Sequence, residues 1–104
     1  MDPKDVELVG DVAAEVRAVL QAVAPAWRLA LVRFELLDGC FSTRVLHGAA
    51  GALEPLDAVR HRSLFVRLQG TGRQLCAAAG PSGGRCEVEI DWGGQRATRS
   101  AATA

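Results

Sequence analysis

The first apolar pattern along the chain has the period of an α-helix. Over residues 5–23, small and branched apolar residues recur every three or four positions, which predicts a single apolar stripe. Asp2 and Pro3 suit the start of this helix, and Pro25 ends it because proline has no amide hydrogen to donate. The predicted stripe consists of Val9, Val12, Ala13, Val16, Val19, Leu20 and Val23. The polar residues predicted to lie largely off it are Asp5, Asp11, Glu15, Arg17 and Gln21.

Alternating apolar and polar residues follow, and they predict an antiparallel hairpin. Residues 27–37 form the first strand, residues 38–39 the two-residue turn and residues 40–46 the second strand. The turn sets the register, which leaves one face apolar and the other polar. Arg33 then lies opposite Arg44, which is unfavourable unless a carboxylate lies diagonally between them. The predicted partners are Leu37 with Cys40, Leu36 with Phe41, Phe34 with Thr43, and Val32 with Val45.

The middle of the chain predicts a second helix. Residues 48–51 are small and form a linker, and Glu54 followed by Pro55 is typical of a helix that starts with proline. We expect this helix to extend to about residue 68, where the glycines at 70 and 72 end it. Residues 63–69 also alternate in the manner of a strand, so a strand stays an alternative for that segment.

A second hairpin is predicted after these glycines. Residues 74–79 form one strand, residues 80–84 the loop and residues 85–92 the returning strand. In the returning strand apolar residues alternate strictly with charged ones, so its two faces differ in chemistry. The small and polar residues 94–104 are predicted to form a flexible tail.

Together these elements predict one α+β domain over residues 1–93. Its order is helix, hairpin, helix, hairpin, with the two helices on one face of a four-stranded, mostly antiparallel sheet. The length of 104 residues supports a single domain, because two domains would each be too small to bury a stable core.

Composition narrows the classes of function. The formal net charge is zero, whereas general nucleic-acid-binding domains are usually basic. No stretch approaches the ~20 apolar residues of a membrane span, and the start of the chain lacks the apolar core of a secretory signal. Cys40, Cys76 and Cys86 form no CxxC pair, which disfavours a disulfide framework or a zinc site and is typical of a reduced, cytosolic protein. We therefore expect a cytoplasmic protein with no cofactor and no nucleic-acid or membrane partner.

The candidate functional residues are the acids of the last predicted strand. Glu87, Glu89 and Asp91 share one face at intervals of ~7 Å, and Trp92 ends the row. Such a row suits the basic cleft of a protein partner, with Trp92 as an anchor, although a place over the core is favoured for Trp92. Two alternatives stay open. One is a hard-cation site, which a flat row suits poorly, and the other is a solvated face balanced by arginines. Those arginines are Arg33, Arg44, Arg73 and Arg85.

Cys40 and His47 are the residues from which a thiol enzyme would be built. They lie in or beside one strand, and a nucleophilic cysteine needs a histidine next to it in space. Neither His47 nor His61 has the spacing of a metal-binding motif, so both are expected at the surface. The glycine-rich loop at residues 80–84 has no lysine and no following helix, which excludes a phosphate-binding loop.

Four short motifs occur along the chain in a recognisable order. They are Ala24-Pro25-Ala26-Trp27 at the helix exit, the proline-started second helix, Gly70-Thr71-Gly72, and the closing strand Cys86-Glu87-Val88-Glu89-Ile90-Asp91-Trp92. This order resembles the YezG-like family of immunity proteins from bacterial polymorphic toxin systems, over about residues 5–93.

The resemblance implies a non-enzymatic cytoplasmic antitoxin that blocks a secreted toxin, often a nuclease, by occupying its active cleft. Glu87, Glu89, Asp91 and Trp92 are then the candidate contacts with the toxin. One alternative is a small structural module that forms a homodimer when exposed hairpin edges pair between chains. Less favoured alternatives are a small-ligand-binding domain and a thiol enzyme.

Overall fold

The computed structural model describes residues 2–102 and shows two helices on one face of a five-stranded antiparallel sheet. The predicted α+β class is confirmed, whereas the prediction of four strands is one strand short. In chain order the elements are α1 (Pro3–Val23), β1 (Leu29–Leu37), β2 (Cys40–Ala49), β3 (Ala52–Pro55), α2 (Arg62–Ala77), β4 (Gly83–Asp91) and β5 (Gln95–Ala101). Across the sheet the strands lie in the order β3-β2-β1-β4-β5.

Helix α1 forms where its apolar period predicts it. The Asp2 side chain accepts a hydrogen bond from the Asp5 amide at 3.0 Å, and Pro3 occupies the first turn. The helix ends at Val23, before Pro25. Two predictions for this helix are wrong: Val23, placed on the apolar stripe, is 50% exposed, and Asp5, placed off it, is buried. Its burial depends on a distant partner that helical spacing alone does not reveal.

The β1–β2 hairpin has the predicted turn and register. Asp38 and Gly39 both have positive φ angles, 51° and 79°, as a tight two-residue hairpin turn requires. All four predicted cross-strand pairs are present. Arg33 lies opposite Arg44, and the carboxylate that relieves this contact is Glu87 of β4. This carboxylate comes from a third strand, so the sequence of the hairpin alone could not identify it.

The predicted start of the second helix is wrong. Pro55, expected at the first helical position, is the last residue of the edge strand β3. An edge strand tolerates proline because the missing amide hydrogen can be on the solvent side. Helix α2 begins seven residues later, at Arg62, after a turn in which Asp57 accepts hydrogen bonds from the Val59 and Arg60 amides. The choice of helix over strand for residues 63–69 is confirmed.

The predicted end of α2 is also wrong, and so is the strand at residues 74–79. The helix passes through Gly70 and Gly72 and continues to Ala77. Gly72 is buried against the sheet, where a Cβ atom would lie 2.6 Å from Cε1 of Phe34 and 2.8 Å from Cζ of Phe41. This glycine therefore permits close packing of the helix on the sheet, instead of ending the helix.

Strand β4 crosses the molecule to pair with β1, so the predicted second hairpin does not form. Gly83 opens β4 with a φ of 91°, and a side chain there would collide with the carbonyl oxygen of Leu36. Residues 95–101, expected within a flexible tail, form β5 along the free side of β4, and residues 103–104 of that expected tail lie outside the described residues. Nη1 of Arg99 on β5 lies 3.0 Å from Oδ2 of Asp5, which explains the burial of this acid.

The core fills the space between the helices and one sheet face. Inward positions alternate along the central strands, as the apolar pattern of β1 and β4 predicts. Among the described residues, 2–102, no helix lies over the opposite sheet face. The largest fully buried side chains are Phe34, Leu20, Leu64, Leu68, Leu75, Ile90, Val12, Val16, Val32, Val45, Val88 and Cys76.

Candidate protein-binding face

The uncovered side of the sheet, called the open face below, contains a shallow trough. It spans β2, β1, β4 and β5 and has a volume of about 630 Å³. The side chains that alternation directs to this face include four arginines and four carboxylates, so the face is neutral as a whole. They are Arg33, Arg44, Arg85 and Arg96, and Glu35, Glu87, Glu89 and Asp91.

The acidic row lies where the sequence predicts, on the outward side of β4, but its charges are already engaged. Glu87 accepts a hydrogen bond from Arg33 at 2.7 Å, and Glu89 lies 3.2 Å from Arg96. The carboxylate of Asp91 accepts hydrogen bonds from the amides of residues 93 and 94 at 2.7 and 2.9 Å. The geometry therefore matches the alternative in which arginines balance the acidic row. Arg33 is one of the arginines that the sequence predicted for this role.

A further ion pair, between Arg85 of β4 and Glu35 of β1, continues the pairing of opposite charges across the open face. Nε of Arg85 lies 2.6 Å from Glu35, so neighbouring strands are joined by pairs of opposite charge. Within residues 2–102, no carboxylate lies within 4.0 Å of Arg44. Arg44 stands opposite Arg33, whose charge Glu87 already neutralises. Arg44 is thus the open-face cation best placed to accept a carboxylate from another molecule.

Sequence reasoning missed an apolar patch at one end of the open face. The hairpin register places Leu31 opposite Leu46 on the same side as Arg33 and Arg44, and both leucines are only half-buried. These leucines are not part of the buried core. The alternation of the first hairpin, continued two positions beyond Arg33 and Arg44, could have revealed them. The patch, called the apolar corner below, consists of Leu29, Leu31, Leu46, Leu53 and Pro55.

Trp92 lies just beyond the end of β4 and is not the core lid that the sequence favoured. It is 63% exposed, and its Nε1 donates a hydrogen bond to the carbonyl oxygen of Trp27 at 2.6 Å. The two indole rings lie 5.9 Å apart, and the Arg28 guanidinium lies 5.5 Å from the Trp92 ring. The exposed ring is therefore held in place at the end of the sheet.

The structure does not bring Cys40 and His47 together. They project from opposite faces of β2, about 23 Å apart along the strand. Cys40 is exposed, whereas His47, expected at the surface, is buried on the core side. A cysteine–histidine pair built from these residues is therefore excluded.

The other two thiols are buried and poorly suited to nucleophilic chemistry. Desolvation by burial raises the pKa of Cys76, and it raises the pKa of Cys86 to about 11. Within residues 2–102, no three metal-ligating side chains gather into a group that could hold an ion. Neither helix in that range has the length and apolar character needed to cross a membrane.

Comparisons with known proteins identify no family for the chain. No protein-family model matches it, and no curated protein matches it.

Proposed function

We propose that this chain is a non-enzymatic, cytoplasmic immunity protein that blocks a protein toxin, such as a nuclease, by covering it with the open face. The observation that carries the proposal is the apolar corner beside a neutral array of paired charges. Protein-binding surfaces combine apolar patches with polar and charged groups around them, and the open face offers both side by side. Nucleic acids and anionic membranes favour surfaces of excess positive charge, which the open face lacks.

The paired charges change the mechanism that the acidic row first suggested. Because Glu87 and Glu89 are neutralised by Arg33 and Arg96, they offer little net charge to attract a basic cleft from a distance. They instead present a fixed pattern of donors and acceptors. Side chains held in advance lose less conformational entropy on binding, and mismatched partners are rejected by like charges. Glu87, Glu89 and Asp91 thus contribute to specificity.

The anchors of the proposed interface are apolar. Leu31 and Leu46 lie next to one another across β1 and β2, between Arg44 and the end of the strand. Trp92 stands at the same end of the sheet, since β4 ends opposite Leu29. A few well-packed side chains, with tryptophan and arginine prominent among them, supply most of the free energy of a typical protein interface. The toxin surface would provide apolar contacts there and a carboxylate for Arg44.

The candidate toxin for the test is the protein encoded by the gene next to the gene of this chain. Expressed alone in a bacterial host it should inhibit growth, co-expression of this chain should restore growth, and the two purified proteins should bind in calorimetry. Replacement of both anchors, Leu31→Ser with Leu46→Ser, should weaken binding by about 30-fold or more. Val59→Ser is the matched control, because Val59 is an 88% exposed valine outside the sheet.

A charge exchange tests the pattern separately. Arg33→Glu combined with Glu87→Arg keeps the ion pair and the net charge, so the unfolding midpoint should equal that of the wild type. The affinity for the toxin should fall, because the two charges have exchanged places. A neighbouring protein that neither inhibits growth nor binds would overturn the immunity proposal. Binding that survives both the leucine variant and the charge exchange would show that the open face is not the interface.

A further inference from the structure

Strand β5 ends the sheet with unused backbone hydrogen-bonding groups. The bonds Asp91 N to Gly94 O and Ala102 N to Gly83 O, at 3.0 and 3.1 Å, fix which residues of this strand bond to β4. Because bonded positions alternate in an antiparallel pair, the even-numbered residues face β4 and residues 95, 97, 99 and 101 face outward. Within residues 2–102, no strand pairs with that outer edge.

The two edges of the sheet differ in how well they are protected. Strand β3 has four residues and ends in Pro55, two features that discourage pairing with another chain. Strand β5 has seven residues and no proline. An inward-pointing charge such as Arg99 can also protect an edge, but here Asp5 neutralises it at 3.0 Å. The edge of β5 is therefore the one open to pairing.

The side of α1 beside this edge is also incompletely covered. Arg17 donates a hydrogen bond to Gln95 at the start of β5, whereas Glu15 faces α2. Val6 and Gly10 lie on the Arg17 side, because spacings of eleven and seven residues return to the same side of a helix. Val6 is 59% exposed, and apart from the adjoining residues and backbone of α1 itself no atom lies within 4 Å of where a Gly10 side chain would begin. There is room here for a second helix.

We propose that a second copy of this chain occupies the edge, with β5 pairing antiparallel to β5 about a twofold axis at Thr98. The two sheets then become one continuous sheet, with both α1 helices on the same side. This register uses all the outward-facing groups, in about eight backbone hydrogen bonds. The opposed pairs are Thr98 with Thr98, Ala97 with Arg99, Arg96 with Ser100, and Gln95 with Ala101.

The neighbouring registers are less favourable. An axis at Arg99 places two arginines directly opposite each other, which destabilises a strand pair. An axis at Ala97 leaves the outward groups of Ala101 without partners. The Thr98 register avoids both faults, and a twofold axis gives a closed dimer instead of an open fibre.

The mass in solution, measured by light scattering at high micromolar concentration, should be twice the chain mass of 11.0 kDa. Thr98→Lys should raise the dimer dissociation constant about fivefold or more, because it opposes two like charges across the axis. Thr98→Glu should do the same, and an equimolar mixture of the two variants should restore the dimer. Ser42→Lys, on the open face but away from the edge, is the matched control.

A cross-linking experiment tests the register. On a Cys40→Ser background, Thr98→Cys should form a covalent dimer under mild oxidation, because the two thiols face each other across the axis. Arg96→Cys should not, because its opposite residue is Ser100. A wild-type mass of one chain at high micromolar concentration would overturn the proposal. A dimer that persists in Thr98→Lys, or equal cross-linking of the two cysteine variants, would exclude this edge or register. These results are independent of toxin binding.

Discussion

Gly72 provides a sharp test of how α2 packs on the sheet. In Gly72→Ala the new methyl group would lie 2.6 Å from Cε1 of Phe34, and Phe34 is fully buried and cannot move aside freely. Overpacking of this kind costs about 1–3 kcal/mol. Alanine recovers about 1 kcal/mol of helix propensity, so the variant should be less stable than the wild type by up to about 2 kcal/mol.

Gly70→Ala is the matched control, two residues away in the same helix. Apart from the adjoining residues and backbone of α2 itself, no atom lies within 4 Å of its would-be Cβ, so this variant should gain about 0.5–1 kcal/mol of stability. Both substitutions change the unfolded chain in the same way, so the difference between them isolates the packing cost. Urea unfolding followed by circular dichroism gives both free energies, and each kcal/mol should move the melting temperature by about 4–8 °C. Equal stabilisation by the two alanines would refute a tight contact at Gly72.

Three further expectations concern buried groups. Arg99→Met should lower the free energy of unfolding by about 3 kcal/mol in the same urea assay, because it leaves the Asp5 carboxylate buried without its partner. The double variant Arg99→Met with Asp5→Asn should recover part of this loss, because the unpaired buried charge is then removed. In the folded protein at neutral pH, iodoacetamide should label Cys40 rapidly and Cys76 and Cys86 slowly, with mass spectrometry as the readout. Burial raises the pKa of Cys86 from 9.0 to about 11, so the thiol ionises at lower pH in the unfolded chain than in the folded protein. The contribution of this thiol to stability should be fully present below pH 9 and should be lost as the pH rises from 9 to 11, and Cys86→Ala should reduce that decline.

The parts of the fold that sequence could predict are those specified by neighbours in the chain. Helix α1 follows from its apolar period and Pro25, and the first hairpin follows from its Asp38-Gly39 turn. Gly72 and Pro55 led to wrong predictions, because glycine usually ends a helix and proline often starts one, whereas here tertiary contacts determine the role of each residue. Gly72 lies against an aromatic ring, and Pro55 extends a sheet edge.

Contacts between distant parts of the chain also explain why the C-terminal strand and the pairing of charges at the candidate site were not predicted. Strand β5 has little apolar character of its own, and Asp5, the ion-pair partner of its Arg99, is almost a whole chain length away. Alternation alone was enough to place Glu87 and Glu89 on one exposed face. Their neutralisation follows from two strand pairings that were not predicted, β4 with β1 for Arg33 and β4 with β5 for Arg96.

The position of β5 has a practical consequence for any shortened form of this protein. Truncation after residue 94 would remove the cover from one side of β4 and expose the backbone next to the apolar Val88 and Ile90. An exposed strand of this kind recruits other chains, so the truncated product should precipitate instead of remaining dispersed. A segment that resembles a dispensable tail in the sequence therefore covers the edge of a strand whose apolar side chains are buried in the core.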